Sequence, residues 1–227
     1  MKQIVEKIKI QANIRLLTGL HIGGSKDNVE IGGIDNPVIK IMLDKGKPYI
    51  PGSSLKGKIR CLLEQMKGVK LGGSPLINSV FGYTDGKSIS KLIVRDAYLT
   101  DESVELLETC DNLDMPYTEN KYENTIDRYT GTTIKGGIRQ TERVPAGVLF
   151  KSEFIINVWK TDEQDAPKDE ECSLLMFKDA VNALENDYLG GSGSRGYGQI
   201  KFENWKYFKA SKDSDWKMSK VENLITW

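Results

Sequence analysis

Histidine is nearly missing from this chain: there is one, His21, in 227 residues. Cysteine is scarce too, with Cys61, Cys110 and Cys172 scattered and no Cys-x-x-Cys pair. A structural zinc site would have to gather ligands from distant positions, so no zinc is expected. A disulfide framework is also lacking, and free cysteines point to a reducing, cytoplasmic compartment. Net charge is absent, because 32 Lys and Arg balance 32 Asp and Glu. Any nucleic-acid surface must therefore be a local patch. No apolar run approaches membrane-spanning length, and Met1–Lys7 carries no apolar signal region, so no membrane partner is expected.

Glycine is plentiful, and five of the 22 fall in Leu189–Ile200, Leu-Gly-Gly-Ser-Gly-Ser-Arg-Gly-Tyr-Gly-Gln-Ile. Glycine allows positive φ and lets backbone N–H groups approach a ligand. Successive N–H groups in such a turn form a concavity for anions. Arg195 adds a fork suited to phosphate, and Tyr197 a flat face suited to a base. The stretch reads as an anion-binding loop or as a plain tight turn from helix to strand. It is not a Walker loop, because no Gly-Lys-Ser/Thr follows. It is not a dinucleotide fingerprint, because the order is helix, loop, strand.

Period-two alternation marks strands at the start, where Ile8, Ile10, Ala12, Ile14 and Leu16 alternate with polar residues. Further strands are expected at Lys91–Leu99, from Phe150 to Val158 and over Gln199–Phe208. A helix follows Pro51, with Ser53 or Ser54 as N-cap and Leu55, Ile59, Leu62, Leu63 and Met66 on the buried face. Lys56 and Arg60 share its other face, either beside a phosphate at the helix N-terminus or merely solvated. Gly68–Gly86 reads as loop with an apolar anchor at Val80-Phe-Gly82, and Asp101–Cys110 as a short helix capped by Asp101. Thr161–Glu171 reads as an acidic surface link, after which Ser173 caps a helix with Leu174, Phe177, Val181 and Leu184 inward. Lys209–Trp227 is a tail that docks or frays.

Two long irregular stretches carry the remaining candidates. In about 22–48, Pro37 stiffens a corner next to Asp35, which is an Asx-turn residue or a functional carboxylate. In about 112–147, glycines suggest a hairpin. There Arg128, Lys135, Arg139 and Arg143 outnumber the single acid between them, Glu142. Such a projection suits RNA contacts, or is a surface decoration. His21 is either a structural residue or a ligand contact. The skeleton β–(loop)–α–β–(insertion)–β–α–β predicts an α+β, ferredoxin-like fold, the plan of the RNA-recognition module. Two helices cover one face of an antiparallel sheet, and the other face is left for ligand.

The glycine loop, together with Leu20-His-Ile-Gly-Gly24, Tyr49-Ile-Pro-Gly-Ser-Ser-Leu-Lys-Gly57 and Val80-Phe-Gly82, resembles the RAMP superfamily of CRISPR proteins. Gly33-Ile-Asp-Asn-Pro-Val-Ile-Lys40, Glu123-Asn-Thr-Ile-Asp-Arg128 and Arg139-Gln-Thr-Glu-Arg-Val-Pro-Ala-Gly147 are similar to the repeated backbone subunit of type III-A (Csm) effector complexes. The matching stretches run in order to about Phe208. The resemblance implies one RAMP domain over 1–227, with a lid at about 22–48 and a thumb-like hairpin at about 112–147. It implies copies stacked head to tail along a guide CRISPR RNA, beside other Csm subunits, with complementary target RNA cut at regular intervals. It makes Asp35 the cleavage residue, with Mg2+ or Mn2+ supporting the reaction and Asp35 a possible metal ligand. Gly191, Ser192, Arg195, Gly196 and Tyr197, with Ser54, Lys56 and Arg60, would hold the guide. Arg128, Arg139 and Arg143 of the hairpin and His21 would contact RNA. The alternatives are a non-catalytic scaffold of the same fold and a guide-processing RNase of the same superfamily. One histidine and a large insertion speak against the second.

The residues suit the chemistry independently. RNA carries its own nucleophile, the 2′-hydroxyl, and a splayed strand aligns it with the phosphorus. No Asp/His pair and no second carboxylate at fixed spacing accompany Asp35, which predicts cyclic-phosphate and 5′-hydroxyl ends.

Overall fold

A computed structural model describes residues 3–24, 36–84, 89–113, 115–160, 166–222 and 224–225. Its centre is an antiparallel sheet built on β1 (Gln3–Leu16), which pairs with β7 (Leu149–Lys160) on one side and β8 (Ile200–Ser211) on the other. The short strands β2 (Tyr49–Ile50), β3 (Leu92–Val94) and β4 (Ala97–Leu99) extend the β7 edge, and β9 (Ser219–Val221) extends the β8 edge. The order is β2-β4-β7-β1-β8-β9, with β3 also on β7. The alternation in β1 has its expected result. Ile8, Ile10, Ala12, Ile14 and Leu16 are buried, and Lys7, Lys9, Gln11, Asn13 and Arg15 face away, half-buried.

Helices α1 (Gly52–Met66) and α4 (Ala166–Glu185) cover the apolar face and touch each other. Leu55, Ile59, Leu62 and Leu63 of α1 meet Phe177, Val181 and Leu184 of α4 in one core with Phe150, Phe154 and Phe202. Each such side chain contributes roughly 1.5–3 kcal/mol. Met66, expected on the buried face of α1, is exposed.

Several boundaries differ from the sequence reading, each for a local reason. The N-cap of α1 is Pro51, not Ser53 or Ser54. The open N–H of Gly52 is caught by Asp96 Oδ1 at 2.7 Å. That use of Asp96 interrupts the expected single strand 91–99, leaving β3 and β4. Within the expected loop 68–86, α2 (Pro75–Phe81) is capped by Ser74, whose Oγ accepts from Ile77 N at 3.3 Å. Helix α3 (Asp101–Glu108) is capped by Thr100, not Asp101. The described part of the acidic link, 166–171, is helix, because α4 begins at Ala166. Ser173 sits inside it and donates to Asp169 O at 2.7 Å. Asp169 is no surface acid: it is buried, ion-paired to Lys91, and accepts from Trp159 N at 2.9 Å. The tail continues β8 to Ser211 and docks β9, with Leu224 and Ile225 against the core. Among the described residues, no helix is long and apolar enough to cross a membrane.

Candidate functional site

Strands β5 (Glu119–Ile126) and β6 (Thr133–Arg143) form the expected hairpin as a separate two-stranded sheet. Such a ribbon is marginal alone, so its attachment matters. Past Glu123 and Arg139 its outer half is largely exposed, including Ile126, Tyr129, Ile134 and Ile138. The tip is held by Asp127, whose Oδ1 accepts from Tyr129 N at 2.8 Å and Thr130 N at 2.9 Å. These bonds hold the Asp127 carboxyl below its usual range. Arg128 is exposed beside it.

At the root, the hairpin meets the glycine loop. Tyr197 is buried, and its hydroxyl donates to Glu123 Oε1 at 3.0 Å. Lys121 Nζ lies 4.4 Å from the ring centroid and the Arg143 guanidinium 5.2 Å. The reading of Tyr197 as a platform for a base is therefore corrected: the ring is filled in by the hairpin's own cations. Burial, and then the hydrogen bond and charge of Glu123, push the Tyr197 hydroxyl up to about 12. Glu123 also accepts from Arg139 Nε at 3.0 Å and pairs with its Nη2 at 2.9 Å, with Lys121 at 3.5 Å and Arg195 at 3.9 Å. Burial alone would raise the Glu123 carboxyl. Its bonds to Tyr197 and Arg139 and the nearby cations prevail and hold it low. Arg143 pairs with Glu119. Arg139 and Arg195 remain about half exposed, at 40% and 55%.

The loop itself is shaped by close approaches. Gly191 N donates to His21 O at 2.8 Å and Gly198 N to Gly19 O at 3.0 Å. Gly190 (φ +78°) lies where a Cβ would collide with the His21 carbonyl, and Gly198 (φ +72°) where it would collide with that of Leu189. Ser192 adopts a left-handed φ of 59° and opens a short turn that ends at Gly196, also left-handed. Gly191 and Ser192 are half-buried; Arg195 and Gly196 are exposed.

His21 Nδ1 donates to Glu142 O at 2.7 Å, which leaves Nε2 of the neutral ring as an acceptor. Glu142, which the sequence showed only as a lone acid among cations, is the buried junction of three segments. Its Oε2 accepts from Val38 N at 2.9 Å and its Oε1 from Thr118 Oγ1 at 2.6 Å, and it is ion-paired to Lys40. Its backbone N–H donates to Asn36 O at 3.1 Å. The end of the 22–48 stretch is thus fixed to β6. Asp35 lies outside the described residues, next to this anchored Asn36. A buried charge needs such partners, and that requirement is the one signal that could have marked Glu142 and Lys40.

The α1 candidates are arranged differently. Lys56 Nζ donates to Ser90 Oγ at 2.7 Å and Leu92 O at 2.9 Å, and burial, then Arg60, lowers its pKa. Arg60 donates to Glu64 Oε1 at 3.1 Å, Gly82 O at 2.7 Å and Asn78 Oδ1 at 2.9 Å. Both side chains are tied into the protein. Ser54 is half-buried in the first turn. Among the described residues, no three His, Cys, Asp or Glu side chains converge as a metal-binding set.

Known proteins resemble this chain along nearly its whole length. The profile of the RAMP superfamily matches residues 13–201. A protein of Methanocaldococcus jannaschii, named CRISPR system Cms endoribonuclease Csm3, is 43% identical, covering 96% of this chain and 90% of its own. A protein of the same name from Streptococcus thermophilus is 43% identical over 88% of this chain and 89% of its own. Among solved structures, a chain of a Csm3–Csm4 subcomplex in the type III-A CRISPR-Cas interference complex superposes with a TM-score of 0.57. It is 32% identical, over 97% of this chain and 91% of that one. The chain belongs to the RAMP superfamily and, within it, to the Csm3 family.

Proposed function

We propose that this chain is the repeated, guide-RNA-binding backbone subunit of a type III-A CRISPR effector complex, and that each copy cleaves complementary target RNA. One observation supports this beyond the family: three separate segments meet at the hairpin root. They are the glycine loop, the end of the 22–48 stretch and the strand break at His21. Arg139, Arg195 and Gly196 are turned outward there, the array a phosphate backbone needs. The strand order with α1 and α4 on one face reads as a ferredoxin-like plan. Residues 22–48 are its lid and 112–147 its thumb, within a single domain that works in the cytoplasm.

The cut is an internal transfer. The 2′-oxygen of the target attacks the adjacent phosphorus, the 5′-oxygen leaves, and the 2′-proton passes to a base. The ends are a cyclic phosphate and a 5′-hydroxyl. Asp35 is the residue we assign to that proton, from its place in the motif and its neighbour Asn36. Positioning supplies much of the rate. Exposed Arg128 and the apolar outer hairpin would hold the duplex open, and His21 Nε2 would accept from RNA. Lys56 and Arg60 act as struts under the helix, and Ser54 borders the guide. A divalent ion, Mg2+ or Mn2+, supports cleavage in this reading. The described residues offer no ready set of ligands for it, so no step is routed through it. The partners are the guide, the target, neighbouring copies and other Csm subunits.

The test is a cleavage ladder. The assembled complex, with end-labelled complementary RNA and Mg2+, is expected to give evenly spaced products that disappear in Asp35→Ala while target binding persists. Chelation with EDTA is expected to stop the cuts. A ladder that survives Asp35→Ala, or products with 3′-hydroxyl ends, would refute the mechanism.

A further inference from the structure

The face of the sheet opposite α1 and α4 has no role in the site above. The ladder register fixes what it presents. Lys9, Gln11, Asn13 and Arg15 of β1 are flanked by Lys151 and Glu153 of β7 and by Lys201, Glu203, Lys206 and Phe208 of β8. Lys220 of β9 lies beyond Phe208. Of the acids here, the two on the strands are already engaged, and a third, Glu102 of α3, is exposed at the border of the face. Glu203 pairs with Arg15 at 2.7 Å, and Glu153 accepts from Gln11 at 2.9 Å and pairs with Arg95 at 3.1 Å. Lys151, Lys206 and Lys220 are exposed and form no ion pair with a described residue. In a chain whose charges sum to zero, this is a concentration of cations on one surface.

A second observation lies in the same place. The β1–β8 register slips between Gln11 and Asn13, and Asn204 takes a left-handed φ of 59° in the resulting bulge. Over it lies a cleft of about 580 Å³ whose wall combines the amides Gln11, Asn13 and Asn204 with Lys151, Lys206 and Lys220, and also includes Trp205 and Glu102. Bulges bend a strand and re-aim its side chains. Here the bend makes a hollow lined by three amides and by three ammonium groups against one carboxylate.

The chemistry selects the occupant. Protein interfaces have apolar centres and are poor in lysine; this centre is amide and lysine. Base reading on such a sheet needs rings on its central strands. The middle of β1 and β7 offers none, the Phe208 ring is capped by Lys9 at 4.6 Å, Trp205 at the cleft wall is already stacked on Phe202 and Tyr207, and Tyr98 at the β4 edge is stacked on Tyr49. A polyanion held by its backbone fits what remains. Lys201 follows the end of the glycine loop, and Lys206 lies ~17 Å further along β8 at the usual strand rise.

We propose that this open face is a second RNA track, which grips the phosphates of a single strand at Lys151, Lys206 and Lys220 without reading bases. The proposal rests on the RNA-binding reading, but on neither Asp35 nor the hairpin. The test titrates a fluorescent oligouridine of about 20 nucleotides into the full chain at several salt concentrations. Lys151→Glu/Lys206→Glu is compared with wild type and with Arg195→Ala. The double variant is expected to bind roughly tenfold more weakly at low salt, with a salt slope smaller by about 1.4 for two lost single-strand phosphate contacts. Lys151→Gln/Lys206→Gln, with unchanged thermal melting, is expected to shift affinity the same way by less. If Arg195→Ala weakens binding and the lysine variants do not, the RNA reading stands and the second track falls. If the wild-type chain binds no RNA, both fall. If the lysine variants bind RNA normally but no longer assemble with other subunits, the face docks an acidic protein and the proposal is overturned.

Discussion

Two regions of this molecule carry the same kind of sequence signal and use it in opposite ways. At α1, cations sit just inside a helix N-terminus. At the glycine loop, Arg195 sits among glycines beside a basic hairpin. In α1 the cations point inward: Lys56 onto the Leu92 carbonyl and Arg60 onto Glu64, Asn78 and Gly82. At the loop they stay outward, because a carboxylate and a tyrosine, Glu123 and Tyr197, gather them from below. The difference lies in which acceptors are within reach. The chain after α1 brings Asn78, Gly82 and Ser90 back under it, with buried Glu64 alongside, whereas at the loop the described residues cover Tyr197 and leave Arg195 and Gly196 exposed. A cation's neighbours in sequence do not say whether it is a ligand or a strut.

The largest expected effect tests the inward half. Arg60→Ala leaves Glu64 buried without its guanidinium, together with Asn78 and the Gly82 carbonyl. The loss of stability should be about 3 kcal/mol, read by urea unfolding. The RNA affinity of the folded fraction should not move. A phosphate-binding Arg60 would give the reverse pattern.

Next comes the support beneath the outward half. Tyr197→Phe keeps the buried ring between Lys121 and Arg143 but removes the bond to Glu123, at a cost of roughly 1.5 kcal/mol. The hydroxyl has a pH signature. Its folded pKa is raised to about 12 from an ordinary 10. The neutral form is therefore favoured by folding. The stability it contributes is complete below pH 10 and is lost as pH rises toward 12. Tyr117, bonded to Glu108, is also pushed up to about 12 and behaves alike. Absorbance at 295 nm should show Tyr117 and Tyr197 among the late-ionising members of the nine tyrosines, alongside Tyr49, which burial also pushes up, and Tyr197→Phe should remove one late-ionising group.

Lys56→Met is expected to be milder, about 1 kcal/mol for two hydrogen bonds lost from an already half-buried amine. RNA binding should be unchanged.

This contrast also marks how far the sequence could be read. The periodicity of β1, the buried stripe of α1 as far as Leu63 and the hairpin are local patterns, and they are in the structure as expected. Thr100 and Asp96 were missed as caps because other candidates, Asp101 and Ser53 or Ser54, stood nearer in sequence and only the fold decides which is within reach, and Ser74 because its helix was read as loop. The same holds for the site. Arg139 and Arg195 were legible as cations in flexible, glycine-rich surroundings. Glu123 and Glu142 were not, since each works through partners that come from elsewhere in the sequence: Lys40 lies 102 positions before Glu142, and Tyr197 lies 74 after Glu123. Tyr197 was singled out as an exposed platform, and it is a buried one. Its alternation after Gly196 could not show that the hairpin would close over it.

The smallest effect is the one that separates the two regions most cleanly. Arg195 is about half exposed and its distance to Glu123 is 3.9 Å, too long for a firm bond. Its ion pair should add little to stability, so Arg195→Ala should melt like wild type. In the proposed function its guanidinium is one phosphate contact. Losing it should reduce affinity for single-stranded RNA about threefold at moderate salt and flatten the salt slope by about 0.7. Arg60→Ala should do neither. If Arg195→Ala instead lowered the melting temperature and left the slope alone, the loop arginine would be a strut like its counterpart in α1. The outward region would then have to bind through Arg139 and the backbone N–H groups of the loop.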